Sequence, residues 1–303
     1  MNTVFIKAIS FIAIILLGYA LRRGRVLHKQ DMGVFSALVT KITLPAAIIY
    51  NFGKASIEVS MLASVLIGFL CSGLFVVVGY LLFLHGSREE RAFAVINMSG
   101  YNVGCFTMPF VQSFLGPLGV ATASLFDAGN AMICTGTSYA IAVAISGKGE
   151  IRGPKQMIKR LFSSAPFDCY ITMTLLALFH VRLPELVFSF TEVVGGANSF
   201  LALLMIGLGL ELHITREQAK EAGLIIGTRL LISIGLALLF LNFGPFGREV
   251  NRTLAIFMFG PVSSLGVPYT SMINGDVALA SAVNSMSILV GIVTLTAVIL
   301  LLS

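Results

Sequence analysis

Two stretches of this 303-residue chain set polar groups and helix breakers inside otherwise apolar sequence. GYNVGCFTMPFVQSFLG at 100–116 gathers Asn102, Gly104, Thr107 and Pro109, and GPVSSLGVP at 260–268 gathers Ser263, Ser264 and Pro268. The chemistry these types offer is holding a ligand. An asparagine amide and serine hydroxyls donate hydrogen bonds, while glycine and proline open the backbone so that N–H groups lose their helical partners. Orphan N–H groups at the start of a half-helix, together with the positive end of its dipole, suit a carboxylate. The alternative is that Asn102 and the serines satisfy their own unwound backbone. Asn97 and Gln112 are weaker polar candidates on the first of these spans.

Asp127 stands in GVATASLFDAGNAMICTG, a span that offers only small polar company, with Asn130 three positions on along the same helical face. A carboxylate inside a membrane is costly, which makes it a candidate for coupling: protonated, it would load together with an anion that its charged form repels. The competing role is structural, with Asp127 bonded to Asn130 and nearby backbone. Lys41 and Arg229 also fall inside apolar runs, where each would pair with Asp127, face an anion, or, as the preferred reading, snorkel to the surface.

Bond-breaking chemistry is not expected, because no G-x-S-x-G, H-E-x-x-H or P-loop pattern occurs. Cys71, Cys105, Cys134 and Cys169 lack C-x-x-C spacing and read as small hydrophobes, so neither a disulfide framework nor a metal site is expected, nor any cofactor.

The elements that position these residues follow from composition. Hydrophobic residues make up 57% of the chain and charged ones 11%, and the mean hydropathy of +0.94 lies outside the soluble range. The chain reads as an all-α integral membrane protein. Spans of roughly 20 residues fit ten times, near 3–21, 32–52, 61–83, 91–115, 118–145, 166–181, 186–210, 222–242, 251–273 and 277–302. The first is not a cleaved leader, since RRGR follows its apolar run rather than preceding it. Pro45 in TKITLPAAIIYN reads as a simple kink.

Alternate loops hold 13 of the 20 basic residues, among them Arg25, Lys155 and Lys220, which places those loops in the cytoplasm and both termini outside. The net charge of +6 therefore reflects topology in a plasma membrane and gives no sign of a nucleic-acid partner. GKGEIRGPKQMIKRLFSSAP at 147–166 divides the chain, with KQMIKRLF at 155–162 either a basic interfacial helix or a solvated linker. Residues 1–146 and 166–303 then form five-span repeats that enter the membrane in opposite senses, joined by the cytoplasmic linker 147–165. Placing Pro109 over Pro268 sets PFVQSFLG over PYTSMING, and V-A-x-A-S recurs at 120–124 and 277–281. Breaks at matching places in inverted halves point to a midplane site, with GYNVGCFTMP and GPVSSLGVP unwound and the broken spans 4 and 9 crossed.

NVGCFTMPFVQSFLG at 102–116 followed by SLFDAGNA at 124–131 resembles the crossover motif of the auxin efflux carrier family, which includes plant auxin carriers and bacterial dicarboxylate permeases. SFLALLMIGLGLEL at 199–212 and LPAAIIYN at 44–51 look like that family's seventh and second spans. The resemblance implies a secondary carrier of a small organic anion, mono- or dicarboxylate, often a homodimer through scaffold spans, with Asn102 and Pro109 on the motif's asparagine and proline. Thr107 stands where a glycine is usual, and Ser263 and Ser264 stand where the second crossover would carry an asparagine. A proton- or sodium-coupled exchanger of another substrate on the same architecture, and a ligand-binding sensor or channel, are the alternatives.

Overall fold

A computed structural model describes residues 2–150, 153–210 and 215–302. Arg152 of the linker, Glu211 and Leu212 at the end of the 199–212 stretch, and His213 lie outside the described residues.

All regular structure among the described residues is helical. In chain order the helices are α1 (Asn2–Arg23), α2 (Met32–Leu38), α3 (Leu44–Lys54), α4 (Ala63–Leu82), α5 (Arg88–Met98), α6 (Met108–Phe114), α7 (Gly116–Met132) and α8 (Ser138–Ser146). They continue as α9 (Pro154–Leu161), α10 (Ala165–Leu178), α11 (Glu185–Gly196), α12 (Asn198–Gly209), α13 (Arg216–Phe243), α14 (Arg248–Phe257), α15 (Gly266–Met272) and α16 (Val277–Leu302). Several run on into one another, giving seven continuous stretches among the described residues that are long and apolar enough to cross a bilayer: 5–23, 29–54, 59–82, 116–146, 185–209, 216–243 and 277–302. Helix α10 is apolar but shorter, and the α5–α6 and α14–α15 pairs are each interrupted. The chain is a multi-pass membrane protein.

Polar residues fix two of the entries. Ser87 and Glu90 close a capping box at the start of α5, with the Ser87 N–H donating to Glu90 at 2.7 Å, and Thr215 and Gln218 do the same for α13. Residues 154–161 of the linker form the short helix α9, with Ile158 and Phe162 exposed beside Lys155 and Lys159.

Glycines set the tightest crossings. A side chain at Gly68 would strike the Phe126 carbonyl and one at Gly129 the Val65 carbonyl, so α4 and α7 meet backbone to backbone. Gly18 and Gly207 bring α1 and α12 together in the same way. The first glycine of GFLCSG is thus used inside the fold, which a count of small residues alone does not reveal.

The core centres on the interruptions. Phe75 of α4, Tyr101 of the first break, Phe126 of α7 and Phe257 at the end of α14 form a continuous aromatic chain with ring centroids 5.4–5.6 Å apart.

Candidate substrate site at the two helix breaks

Helix α5 stops at Met98, and residues 99–102 leave the helical path. Gly100 adopts φ +62, and a Cβ there would collide with the Cys134 thiol and lie 2.9 Å from the Asn130 Oδ1, so no other residue fits. The backbone groups of Tyr101, freed from helical pairing, are taken up by one side chain: Asn130 Oδ1 accepts from the Tyr101 N–H and Nδ2 donates to the Tyr101 carbonyl, both at 2.9 Å. Ser72 of α4 donates to the same Oδ1 at 2.8 Å.

The chain recoils sooner than the sequence suggests. Thr107 donates from its N–H (3.1 Å) and hydroxyl (3.2 Å) to the Asn102 carbonyl, closing a wide π-helical turn over Val103–Thr107 that runs into α6 with Pro109 second in line. The unwound part is therefore 99–102 and not the whole of GYNVGCFTMP, because the Thr107 N–H and hydroxyl close back on the Asn102 carbonyl at π-helical spacing and restart the helix before Pro109. The same device, Val39–Thr43 before Leu44–Pro45, deforms the second span at Pro45 without breaking it.

The second break, 258–265, is longer and meets the first directly. The Asn102 N–H donates to the Pro261 carbonyl at 2.9 Å, the Tyr101 hydroxyl lies 3.4 Å from the Met258 sulfur, and a side chain at Gly260 would crowd the Thr107 hydroxyl at 2.9 Å. Ser263 is buried, accepts from the Leu265 N–H at 3.4 Å and faces the Cys134 thiol; Ser264 and Pro268 are exposed, with Pro268 third in α15. The Asn102 side-chain amide does not cap its own turn and has no hydrogen-bond partner among the described residues.

Asp127 lies beside this arrangement. Its Oδ1 accepts from Asn130 at 2.8 Å and its Oδ2 from the Tyr170 hydroxyl of α10 at 2.9 Å. Gly104 leaves a gap in front of it, since a Cβ there would come 3.9 Å from Asp127 Oδ2 and 3.0 Å from Leu44. The structure thus gathers Asn102, Gly104, Thr107, Asp127, Asn130 and Ser263 in one region.

Asn97 and Gln112 are fasteners. Asn97 donates to Thr270 of α15 at 2.9 Å, and Gln112 donates to the Gly195 carbonyl at 2.9 Å while accepting from Asn198 and Ser199. Lys41 is exposed, as snorkelling requires. Arg229 corrects the same expectation: it is only 5% exposed, sits midway along α13 with about 20 Å of helix on either side, and donates to the carbonyls of Met98 and, at 3.5 Å, Gly260. Its guanidinium packs 4.1 Å from the Phe75 ring centroid and 5.1 Å from that of Tyr101. The sequence does relate the two segments that it meets: REERAFAVINMSG at 88–100 over REVNRTLAIFMFG at 248–260 matches Met98 with Met258 and Gly100 with Gly260.

A recess of about 500 Å³ lined by Lys54, Glu58, Pro117, Arg248 and Glu249 opens at the end of the molecule that carries Gly247. Beside Arg229, Gly260, Pro261 and Ser287 lies a cavity of about 30 Å³, room for a single water.

Among known proteins, the chain is 23% identical over 231 residues to an uncharacterized transporter of Methanothermobacter thermautotrophicus, the match covering 74% of each. The family model for the membrane transport protein family matches residues 3–159, more than half of the chain and all of the first break with Asp127 and Asn130. The chain belongs to this membrane transport protein family, the auxin-efflux-carrier-like group that its crossover motif resembles.

Proposed function

We propose that the protein is a secondary carrier of a small organic anion, a mono- or dicarboxylate, that works by alternating access around two crossed broken helices. The observation that carries this reading is the Asn102–Pro261 hydrogen bond, which joins two unwound segments deep in the fold. Irregular backbone at that depth belongs to a ligand path or a packed interface. The free amide of Asn102 supplies a donor for a carboxylate, with Thr107 and Gly104 shaping its surroundings, and Ser263, Ser264 and Pro268 contribute from the other break.

Ten passes in two inverted repeats, 1–146 and 166–303, account for the pattern of packing. Helix α1 packs on α12 as α10 packs on α3, α4 on α7 as α13 on α16, and α6 on α7 as α15 on α16. Each pair maps onto the other when the halves are exchanged, as an inverted-repeat transporter requires. The linker 147–165 then lies in the cytoplasm, both termini lie outside the plasma membrane, and two copies associate as a homodimer.

Asp127 is the coupling group in this reading, carrying a proton with the anion; sodium coupling on the same architecture is the alternative. A thermal-shift screen of the purified protein against organic acids tests the substrate class, since a ligand selective for the native state raises its apparent stability. Stabilisation by carboxylates and not by their amides is the expected result. Stabilisation only by cations or neutral compounds would sink the anion reading.

A further inference from the structure

Arg229 is a buried cation to which no carboxylate is paired among the described residues. Desolvating a charge costs several kcal/mol in practice, so the groups around it must offset that cost, and they are specific. Met98 is the last residue of α5, and Gly260, whose N–H closes back on Phe257 at 2.9 Å, is the first turn beyond α14. The guanidinium therefore sits at once on the last carbonyl of α5 and on a carbonyl of the turn that ends α14, packed against the rings of Phe75 and Tyr101.

The charges match. A helix carboxyl end carries the equivalent of about −0.5 elementary charge, so two such ends sum to about one negative charge, which one guanidinium cancels. Where a helix is interrupted, its carbonyl end faces the gap and repels an anion there. A single arginine on α13 removes that repulsion from both interruptions. The same two contacts tie α5 to α14, while the Asn102–Pro261 bond ties the segments that follow them.

We infer that Arg229 is a positioning residue that neutralises the carbonyl ends of both broken helices and so makes the crossing accept an anion in preference to a neutral or cationic analogue. The inference deepens the carrier reading and rests on it. Arg229 acts through the backbone of the breaks and touches no substrate. The other titratable groups that face this region are Tyr101, Cys71 and Cys134, with Asp127 held by Asn130 beside them.

The test uses full-length protein in liposomes with radiolabelled malate as probe and malamide as its uncharged competitor. R229Q keeps a planar donor group and loses the charge; R229K keeps the charge with fewer, differently placed donors. R229Q is expected to weaken malate affinity by about tenfold, the effect of two nearby dipole ends restored to full strength, and to let malamide compete nearly as well as malate. R229K is expected to hold the preference for malate over malamide even where its melting temperature falls. A folded R229Q with wild-type malate affinity and wild-type discrimination overturns the inference, leaving Arg229 a strut. Where R229Q does not fold, R229K decides: a folded R229K that no longer prefers malate overturns the inference as well. Wild-type protein that takes up neither malate nor any carboxylate of the thermal-shift screen contradicts the anion reading and this inference together, whereas wild-type uptake with an unchanged R229Q contradicts the inference alone.

Discussion

The backbone N–H of Asn102 donates to the carbonyl of Pro261 at 2.9 Å, so the unwound segment of the first half of the chain is hydrogen-bonded to the unwound segment of the second. Because the backbone makes this contact, the Asn102 side chain is not needed for it, and the amide stands beside the break with its donors free among the described residues.

That separation of roles gives a clean substitution. Asn102→Ala preserves the Pro261 contact and is expected to leave expression and melting temperature nearly unchanged while weakening carboxylate binding by about 1–3 kcal/mol, the range for a lost hydrogen bond to a charged group. Isothermal titration with the acid found by thermal shift measures it. Unaltered affinity in a well-folded variant would take Asn102 out of the site.

Two glycines with left-handed backbone separate packing from conformation. Gly100 (φ +62) has the Cys134 thiol where a Cβ would go, while Gly147 (φ +67) has open space. Gly147→Ala is expected to cost about 1 kcal/mol from strain alone, and Gly100→Ala to yield little folded protein on gel filtration, because strain and a clash with the group that pins Tyr101 act together. Equal yields from the two variants would show that the break tolerates rearrangement.

Asp127 accepts from Asn130 and Tyr170, and Cys105 and Cys134 are the other titratable groups near it. In the coupling role its protonated form travels with the anion, so wild-type flux rises as pH falls. Asp127→Asn imitates the protonated acid and is expected to bind anion at near wild-type strength at acidic pH with a flat pH–flux profile. A profile that tracks the wild type would assign Asp127 to the scaffold, holding Asn130 against the Tyr101 backbone.

Much of the fold is legible in the sequence. Composition gives the membrane, hydropathy places the helices to within a few residues, and Pro109 with Pro268 marks the two interruptions, since proline and glycine act locally and announce themselves in sequence. The fate of Arg229 was not legible, because an arginine in an apolar run looks the same whether it snorkels or meets carbonyls brought from two distant segments. The extent of the first break was likewise hidden: the π-turn depends on Thr107 reaching back to Asn102, a contact that spacing alone does not fix. Asn97 and Gln112 looked like ligand groups for the same reason, and they turn out to fasten α5 to α15 and α6 to the α11–α12 junction.

Topology is testable without a substrate. Cysteines placed at Arg25 and Lys155 are expected to react with an impermeant thiol reagent only from the cytoplasmic side, and one at Gly247 only from outside, because basic loops are retained inside. The native cysteines, all buried or half-buried, give a low background. Labelling of Lys155→Cys in intact cells from outside would reverse the orientation, and labelling of the Arg25 and Lys155 positions from opposite sides would undo the inverted repeats.

The central claim is that the crossed breaks form the site of a carrier, and counterflow tests it most directly. Liposomes holding purified protein are preloaded with unlabelled malate, and entry of radiolabelled malate is followed at increasing external concentration. Entry is expected to saturate and to be accelerated by internal malate, with both properties diminished in Asn102→Ala. Entry that rises linearly without saturation and ignores the internal pool would contradict it and describe a channel.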